Sequence, residues 1–184
     1  FNFKNFSIVI PIFNEEEILE ESTNAIFSLC KRMEIDFEII FSENGSTDKT
    51  KAIAEELTNK HPEIKIISNP EPNYGNALKT GFKIAKNDLV ISFDIDYYSE
   101  SFLSEALKLE SEYSGITASK RLGSSEDGRR FIRRLATNFF VILLKTLFGT
   151  KLSDTHGMKA IKKSEIEKFL PKVVSTQDIF DTEL

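Results

Sequence analysis

Short apolar runs alternate along this chain with segments whose apolar residues recur every three or four positions. Ser7–Ile12 (SIVIPI) reads as a strand. Asn14 then stands where a helix cap belongs, with Glu17 three residues on as its capping-box partner. Ile18, Ser22, Ala25, Ile26, Leu29 and Met33 follow at helical spacing. Phe37–Phe41 predicts a second strand. Ser46 is placed to cap the next helix, with Asp48 in its first turn and Ala52, Ile53 and Leu57 on its buried face. Ile64–Ile67 predicts a third strand, and Asn69–Gly75 a loop rich in Pro, Asn and Gly. A helix from about Asn76 carries Ala77, Leu78, Gly81, Phe82 and Ala85 on one face. Leu89–Phe93 predicts a fourth strand ending in Asp94. Phe102, Leu103, Ala106 and Leu107 mark a further helix, and Gly115–Ser119 a fifth strand.

Strands alternating with helices predict an α/β fold: a mostly parallel sheet with helices on both faces. Such sheets bind ligands outside the carboxyl ends of their strands. Polar residues of functional type are therefore expected just after each strand. Asn14-Glu15, Ser42-Glu43-Asn44 and Asp94-Ile95-Asp96 stand there.

Composition narrows the picture. A length of 184 residues suits one domain with a real core, and 40% hydrophobic residues with 29% charged residues suit a globular chain. The net charge of −5 speaks against a duplex nucleic-acid partner, so none is expected. The single Cys30 excludes an internal disulfide, and beside Ile26 and Leu29 it reads as a small core residue. The longest apolar run, Phe139–Leu144, is far shorter than the ~20 residues that span a bilayer.

The sharpest chemical feature is LVISFDID. Two carboxylates at the exit of an apolar strand need water, a cation or donors to offset their desolvation. On an extended backbone, positions i and i+2 point to one side, so Asp94 and Asp96 would face together. Hard cations such as Mg²⁺ or Mn²⁺ take carboxylate oxygens together with phosphate oxygens. Alone, Asp-X-Asp is common and reads first as a helix cap beside a solvated acid, and its position after the fourth strand shifts the reading toward a cation site. In SENGSTDKT, Gly45 permits a sharp turn and the following helix start could face an anion. In PIFNEEE, Pro11 costs a ladder hydrogen bond, which predicts an edge or a local irregularity. Phe13 is either a core aromatic or a surface for a base. Glu15, Glu16 and Glu17 read by default as a solvated first turn.

Taken in order, SIVIPIFNEEE, FEIIFSENGSTDKT, NYGNALKTGF, DLVISFDID, TASKRL, SDTHGMKAI and FDTEL resemble the family 2 glycosyltransferases of GT-A fold. The likeness is greatest to the dolichol-phosphate mannosyltransferase and polyprenol-phosphate glycosyltransferase group. It runs from about Ser7 to Leu184, and the ordered set is far more specific than any one piece. It implies a GT-A, Rossmann-like sheet and a single catalytic domain over residues 1–184 that stops short of its relatives' C-terminal end.

The resemblance also implies roles. Pro11, Phe13 and Glu15 would contact the nucleoside, and Ser42 and Asn44 would lie beside the base. Asp94 and Asp96 would hold Mg²⁺ or Mn²⁺, with the Ile95 backbone near the nucleotide. Lys120 and Arg130 would reach the sugar-phosphate side, Arg133 competing with Arg130. Asp154, near the acceptor, is the candidate base, and Asp96 shares the catalytic assignment. The implied reaction is inverting transfer of a hexose from a UDP- or GDP-linked sugar to a polyprenyl or dolichyl phosphate. The implied location is the cytoplasmic side of a membrane. A nucleotide-sugar-binding or catalytically impaired homologue stays open as the alternative, and a sugar-nucleotide pyrophosphorylase lacks its glycine-rich loop here.

Three departures bear on this. Glu43-Asn44 replaces the family's Asp-Asp, and an amide with one acceptor and one donor group leans toward uracil over guanine. Tyr98 stands where relatives carry a further metal ligand, and a phenol is a poor one. The chain ends at Leu184 while relatives continue. The segment Asn138–Phe148 reads equally as a core helix or as a helix lying on a bilayer. Arg129, Arg130, Arg133 and Arg134 precede it, ready for anionic head groups or an acceptor phosphate. His156 has no partner at zinc-ligand spacing.

Overall fold

The computed structural model describes residues 1–118 and 157–173. Contacts divide the chain into one unit of Phe1–Thr117 with Met158–Leu184 and another of Ala118–Gly157. All described strands and helices belong to the first.

The elements follow the apolar pattern. They are β1 Asn5–Ile12, α1 Leu19–Arg32, β2 Asp36–Glu43, α2 Thr50–Lys60, β3 Ile64–Ser68, α3 Tyr74–Ile84, β4 Leu89–Ser92 and α4 Glu100–Leu107. Then come β5 Gly115–Thr117, β6 Lys159–Lys162, α5 Lys163–Phe169 and a 3₁₀ turn at Leu170–Lys172. The sheet order is β3-β2-β1-β4-β6-β5. The strands β3, β2, β1 and β4 are parallel, and β6 runs antiparallel to both β4 and β5. The expected α/β architecture with a mostly parallel sheet is therefore present. The strand β6 escapes the sequence reading because KAIK is short and bounded by lysines. Only the pairing of Ala160 with Ile91 and Ile116 makes it a strand.

Right-handed crossovers put α1 and α2 on one face and α3 on the other. On the α3 face, Val9, Ile40 and Val90 pack with Leu78 and Phe82 of α3 and with Ile166, Leu170 and Val173. The alternate strand residues Ile8, Ile10, Ile39, Phe41 and Ile91 are equally buried and face the other way. The close approach of α3 to β1 requires Gly81, where an added Cβ would lie 2.3 Å from Val9 Cγ1.

Two expected caps are not caps. α1 begins at Leu19 with no side-chain cap, and α2 begins at Thr50, four residues after Ser46. Asn14 and Ser46 bond to each other's loops instead, as described below. Asn73 and Ser99 are true caps, accepting from the amides of Asn76 and Phe102.

Pro11 fits by position. β1 is central, yet its ladder with β4 ends at the pair Val9↔Ser92. Val9 turns its carbonyl to β4, accepting from Phe93 N–H. By the two-residue period, Pro11 faces the same side beyond the last ladder pair, where no donor is needed.

Candidate functional site

The chain order leaves β1 in opposite directions toward β2 and toward β4, which makes a switch point at their carboxyl ends. The loops after β1, β2 and β4 meet there. The first two are clasped by reciprocal hydrogen bonds. Asn14 N–H donates to Ser46 Oγ at 3.1 Å, and Thr47 N–H donates to Asn14 Oδ1 at 2.9 Å. Glu15 N–H donates to Thr50 Oγ1 at 2.7 Å, and Glu16 N–H to Asp48 Oδ2 at 3.2 Å. Lys49 N–H returns to Glu16 Oε2 at 2.9 Å. Glu43 is buried and accepts from Ser46 N–H at 2.6 Å, closing the turn at Gly45. Asn14 has φ 55 and Gly45 φ 74, both left-handed. Asn tolerates that region, which frees its side chain for the cross-loop bond. These partners lie more than thirty residues apart, so local spacing could not reveal them and a local cap was the expectation.

The β2 exit is fixed from the other side as well. Asn44 is buried, and its Oδ1 accepts from Asn73 N–H at 2.7 Å. That bond uses one of the two lone pairs of Oδ1, and the amide N–H donors of Asn44 complete its hydrogen-bonding capacity at the β2 exit. Ser42 is fully buried and donates to Ala77 O of α3 at 2.6 Å. It holds α3 against β2. Asn69, also buried, donates to Glu43 O at 3.2 Å and anchors the Pro-rich loop. A Cβ on Gly45 would meet Pro70 O at 3.2 Å and Pro72 at 3.3 Å.

Beyond β4 the backbone turns instead of running on. Tyr97 N–H donates to Asp94 O at 3.1 Å, and Asp94 pairs with Tyr97 as an isolated bridge. Ile95 and Asp96 form the tip. Ile95 is 2% exposed and pins the turn into the core, while Asp94 is half-buried and Asp96 exposed. The extended-strand reason for a shared side is therefore replaced by a tight turn. Tyr74 OH donates to Asp94 Oδ1 at 3.2 Å. The Tyr98 ring lies 6.5 Å from that of Phe93.

Glu15 reports how the acids converge. Its carboxyl is raised above the usual value, first by burial and then by the charges of Asp96, Asp48 and Asp94. Asp48 feels some burial, but hydrogen bonds from Thr50 and the Glu16 amide outweigh it and hold it below the usual value. Four carboxylates from three loops thus share one negative field. Among the described residues no three His, Cys, Asp or Glu side chains come together as a complete metal cage. Asp94 and Asp96 fit a hard cation that draws its remaining ligands from water and phosphate. Phe13 is 40% exposed beside this field, an aromatic face open to a planar ligand.

The amino ends of the strands differ. There, buried Glu38 accepts from Ser7 Oγ, Lys65 Nζ and Lys86 N–H. Burial pushes its carboxyl up, but Lys65 and the other donors more than offset that and hold it below the usual value. A depression of about 740 Å³ at this end includes Lys162 and Lys163. Lys162 donates to Glu110 O and Ser111 O, and Lys163 to Phe82 O and Lys83 O. The ammonium groups of Lys162 and Lys163 are thus occupied internally.

Lys120, Arg130, Asp154, the other arginines at 129, 133 and 134, the segment 138–148 and His156 lie outside the described residues.

Comparison with known proteins adds an independent line. The family model described as glycosyl transferase family 2 matches residues 7–170. The undecaprenyl-phosphate 4-deoxy-4-formamido-L-arabinose transferase of Proteus mirabilis (strain HI4320) is 37% identical over 167 residues, covering 89% of this chain and 51% of the relative. The transferase of the same name from Pseudomonas fluorescens (strain Pf0-1) is 29% identical over 169 residues, covering 89% and 48%. The chain spans about half the length of the curated relatives it matches. A mannosyltransferase from Pyrobaculum calidifontis, solved with GDP-Man and Mn²⁺, superposes with TM-score 0.62 at 19% identity over 91% of this chain and 47% of that one. Glucosyl-3-phosphoglycerate synthase from Mycobacterium tuberculosis, solved with Mn²⁺, UDP and phosphoglyceric acid, gives 0.65 at 21% identity over 88% and 56%. At such identities the likeness establishes the fold, which is GT-A.

Proposed function

We propose, for a chain that belongs to glycosyl transferase family 2, metal-dependent transfer of a sugar from a nucleoside diphosphate to a polyprenyl phosphate. The observation that carries this is the shared field of Glu15, Asp48, Asp94 and Asp96 at the switch point. Like charges so arranged repel until a cation joins them, and a diphosphate would add to the repulsion. Asp94 and Asp96 would hold Mg²⁺ or Mn²⁺, which would supply neutralisation of the departing diphosphate.

The chain's own residues do the rest. The clasp between the 13–17 and 46–50 loops holds Glu15 and Phe13 on the nucleoside side. Asn44 presents its amide donors to the base, with Pro11 and the Ile95 backbone beside the nucleotide. Lys120 and Arg130 are assigned to the sugar-phosphate side on the family resemblance, and Asp154 to the acceptor. An acceptor phosphate oxygen attacks the anomeric carbon from the face opposite the leaving group. The new C–O bond forms as the bond to the nucleoside diphosphate breaks, inverting the centre. The phosphate is ionised near neutral pH, so Asp154 orients it without having to take a proton.

The relatives' names support a polyprenyl phosphate acceptor and add formamido-arabinose to the hexoses as a candidate sugar. They also support placing the full-length protein at a membrane, and the cytoplasmic side is part of the same proposal, resting on the family resemblance alone. Among the described residues no helix is long and apolar enough to cross a membrane. One catalytic domain over residues 1–184 is part of the same reading.

The test is turnover. The intact protein is incubated with UDP- and GDP-linked sugars, Mn²⁺ and undecaprenyl phosphate, and nucleoside diphosphate release is followed. Release that needs both acceptor and metal is expected. Tight nucleotide binding with no release for any donor would favour the catalytically impaired alternative.

A further inference from the structure

We propose that Tyr74 is a positioning residue that fixes Asp94 for the metal, an inference that rests on the metal-and-donor reading above. Tyr74 is the first residue of α3. Its ring packs against the buried cluster of Val9, Leu78 and Phe82, and its hydroxyl donates to Asp94 Oδ1 at 3.2 Å. An anchored ring with a single reaching hydroxyl leaves the phenol little freedom. An ionised carboxylate has several acceptor positions over its two oxygens, so a hydrogen bond to Oδ1 can orient the group while it also ligates a cation.

The start of α3 is itself held on three sides. Asn73 N–H is bonded to Asn44 Oδ1 at 2.7 Å, and Asn73 Oδ1 caps the helix through Asn76 N–H at 3.0 Å. Ser42 Oγ binds Ala77 O at 2.6 Å. Two hydrogen bonds joined by the Asn73–Tyr74 backbone therefore link Asn44 on the nucleoside side to Asp94 on the metal side. Groups that orient metal ligands in this way tune metal affinity, and their loss typically costs about 10–100-fold in metal binding. The Pro-rich loop before α3, which reads from sequence as a mere connection, sets the geometry of a carboxylate twenty positions further on.

Tyr74→Phe keeps the ring and removes the hydroxyl. Mn²⁺ binding to the intact protein with saturating UDP is followed by electron paramagnetic resonance. UDP affinity in EDTA and thermal unfolding are measured beside it. The expected result is about 10-fold weaker Mn²⁺ binding in Tyr74→Phe, with UDP affinity in EDTA and the unfolding midpoint unchanged. A second variant, Tyr74→Leu, loses the ring's polar reach and should match Tyr74→Phe in Mn²⁺ affinity. Equal Mn²⁺ affinity in Tyr74→Phe and the parent overturns the proposal. So does a loss of UDP affinity in EDTA as large as the loss of Mn²⁺ binding, which would mean general damage to the site. No nucleotide-linked Mn²⁺ signal in the parent itself overturns the metal reading and this inference with it.

Discussion

Asn44 Oδ1 accepts the backbone N–H of Asn73 at 2.7 Å, which joins the exit of β2 to the start of α3. Asn44→Ala leaves that N–H without its partner in a half-buried loop. A stability loss of about 1–3 kcal/mol is expected. Asn44→Asp keeps an acceptor in place and should lose much less. Urea denaturation of the two variants beside the parent checks the order, and a loss in Asn44→Asp as large as in Asn44→Ala contradicts it.

Asn14 combines a left-handed backbone with a cross-loop acceptor. Asn14→Gly keeps the backbone at ease and removes the bonds from Thr47 N–H and Thr47 Oγ1. Asn14→Ala removes the same bonds and adds about 1–2 kcal/mol of left-handed strain. Chemical denaturation should therefore rank the parent above Asn14→Gly and Asn14→Gly above Asn14→Ala. The same order is expected in nucleotide affinity by calorimetry, because the clasp positions Glu15.

Glu15 gives a pH signature. Burial, then Asp96, Asp48 and Asp94, raise its carboxyl above 4.5 in the folded protein. Stability from such a group is fully present below the unfolded value and is lost as pH rises through the folded value. Glu15→Gln mimics the protonated form, so it should be more stable than the parent at pH 7 without metal. The difference should shrink as pH falls and vanish below the unfolded value. Melting curves of both proteins in EDTA across pH 4–8 test this, and a Glu15→Gln variant less stable than the parent at pH 7 contradicts it.

Much of this fold is legible in the sequence because its parallel strands are continuous apolar runs. Strands such as IVIPI and LVIS have little choice but a buried sheet, and Ala77, Leu78, Gly81 and Phe82 mark the inner face of α3 plainly. The positions of Glu15, Asn44 and Asp94 at strand exits follow from that alone. What local pattern cannot carry is the partner of a polar side chain. Asn14 and Ser46 look like caps by every local rule, yet donors from the facing loop claim them. Nor does the sequence reveal that Ser42 donates to Ala77 O of α3. Asn44 looks from the sequence like a residue at a strand exit alone, and its bond from Asn73 N–H, twenty-nine positions away, is not legible there. The turn at Ile95 and Asp96 is hidden because Phe93, Ile95 and the strand before them are equally apolar, so only the Asp94–Tyr97 bridge shows where the strand stops.

The pair Asp94 and Asp96 carries the central claim, and the most direct measurement is nucleotide affinity with and without metal. Isothermal titration of UDP and GDP into the intact protein is done in EDTA and again in saturating Mn²⁺. At least one nucleotide should bind more tightly with Mn²⁺, and by linkage Mn²⁺ should bind more tightly by the same factor when that nucleotide is present. Asp96 is exposed at the tip of a turn, so Asp96→Asn should keep the fold and lose most of that factor. Nucleotide affinity that is the same in EDTA and in Mn²⁺ or Mg²⁺ would contradict the metal role assigned to this pair.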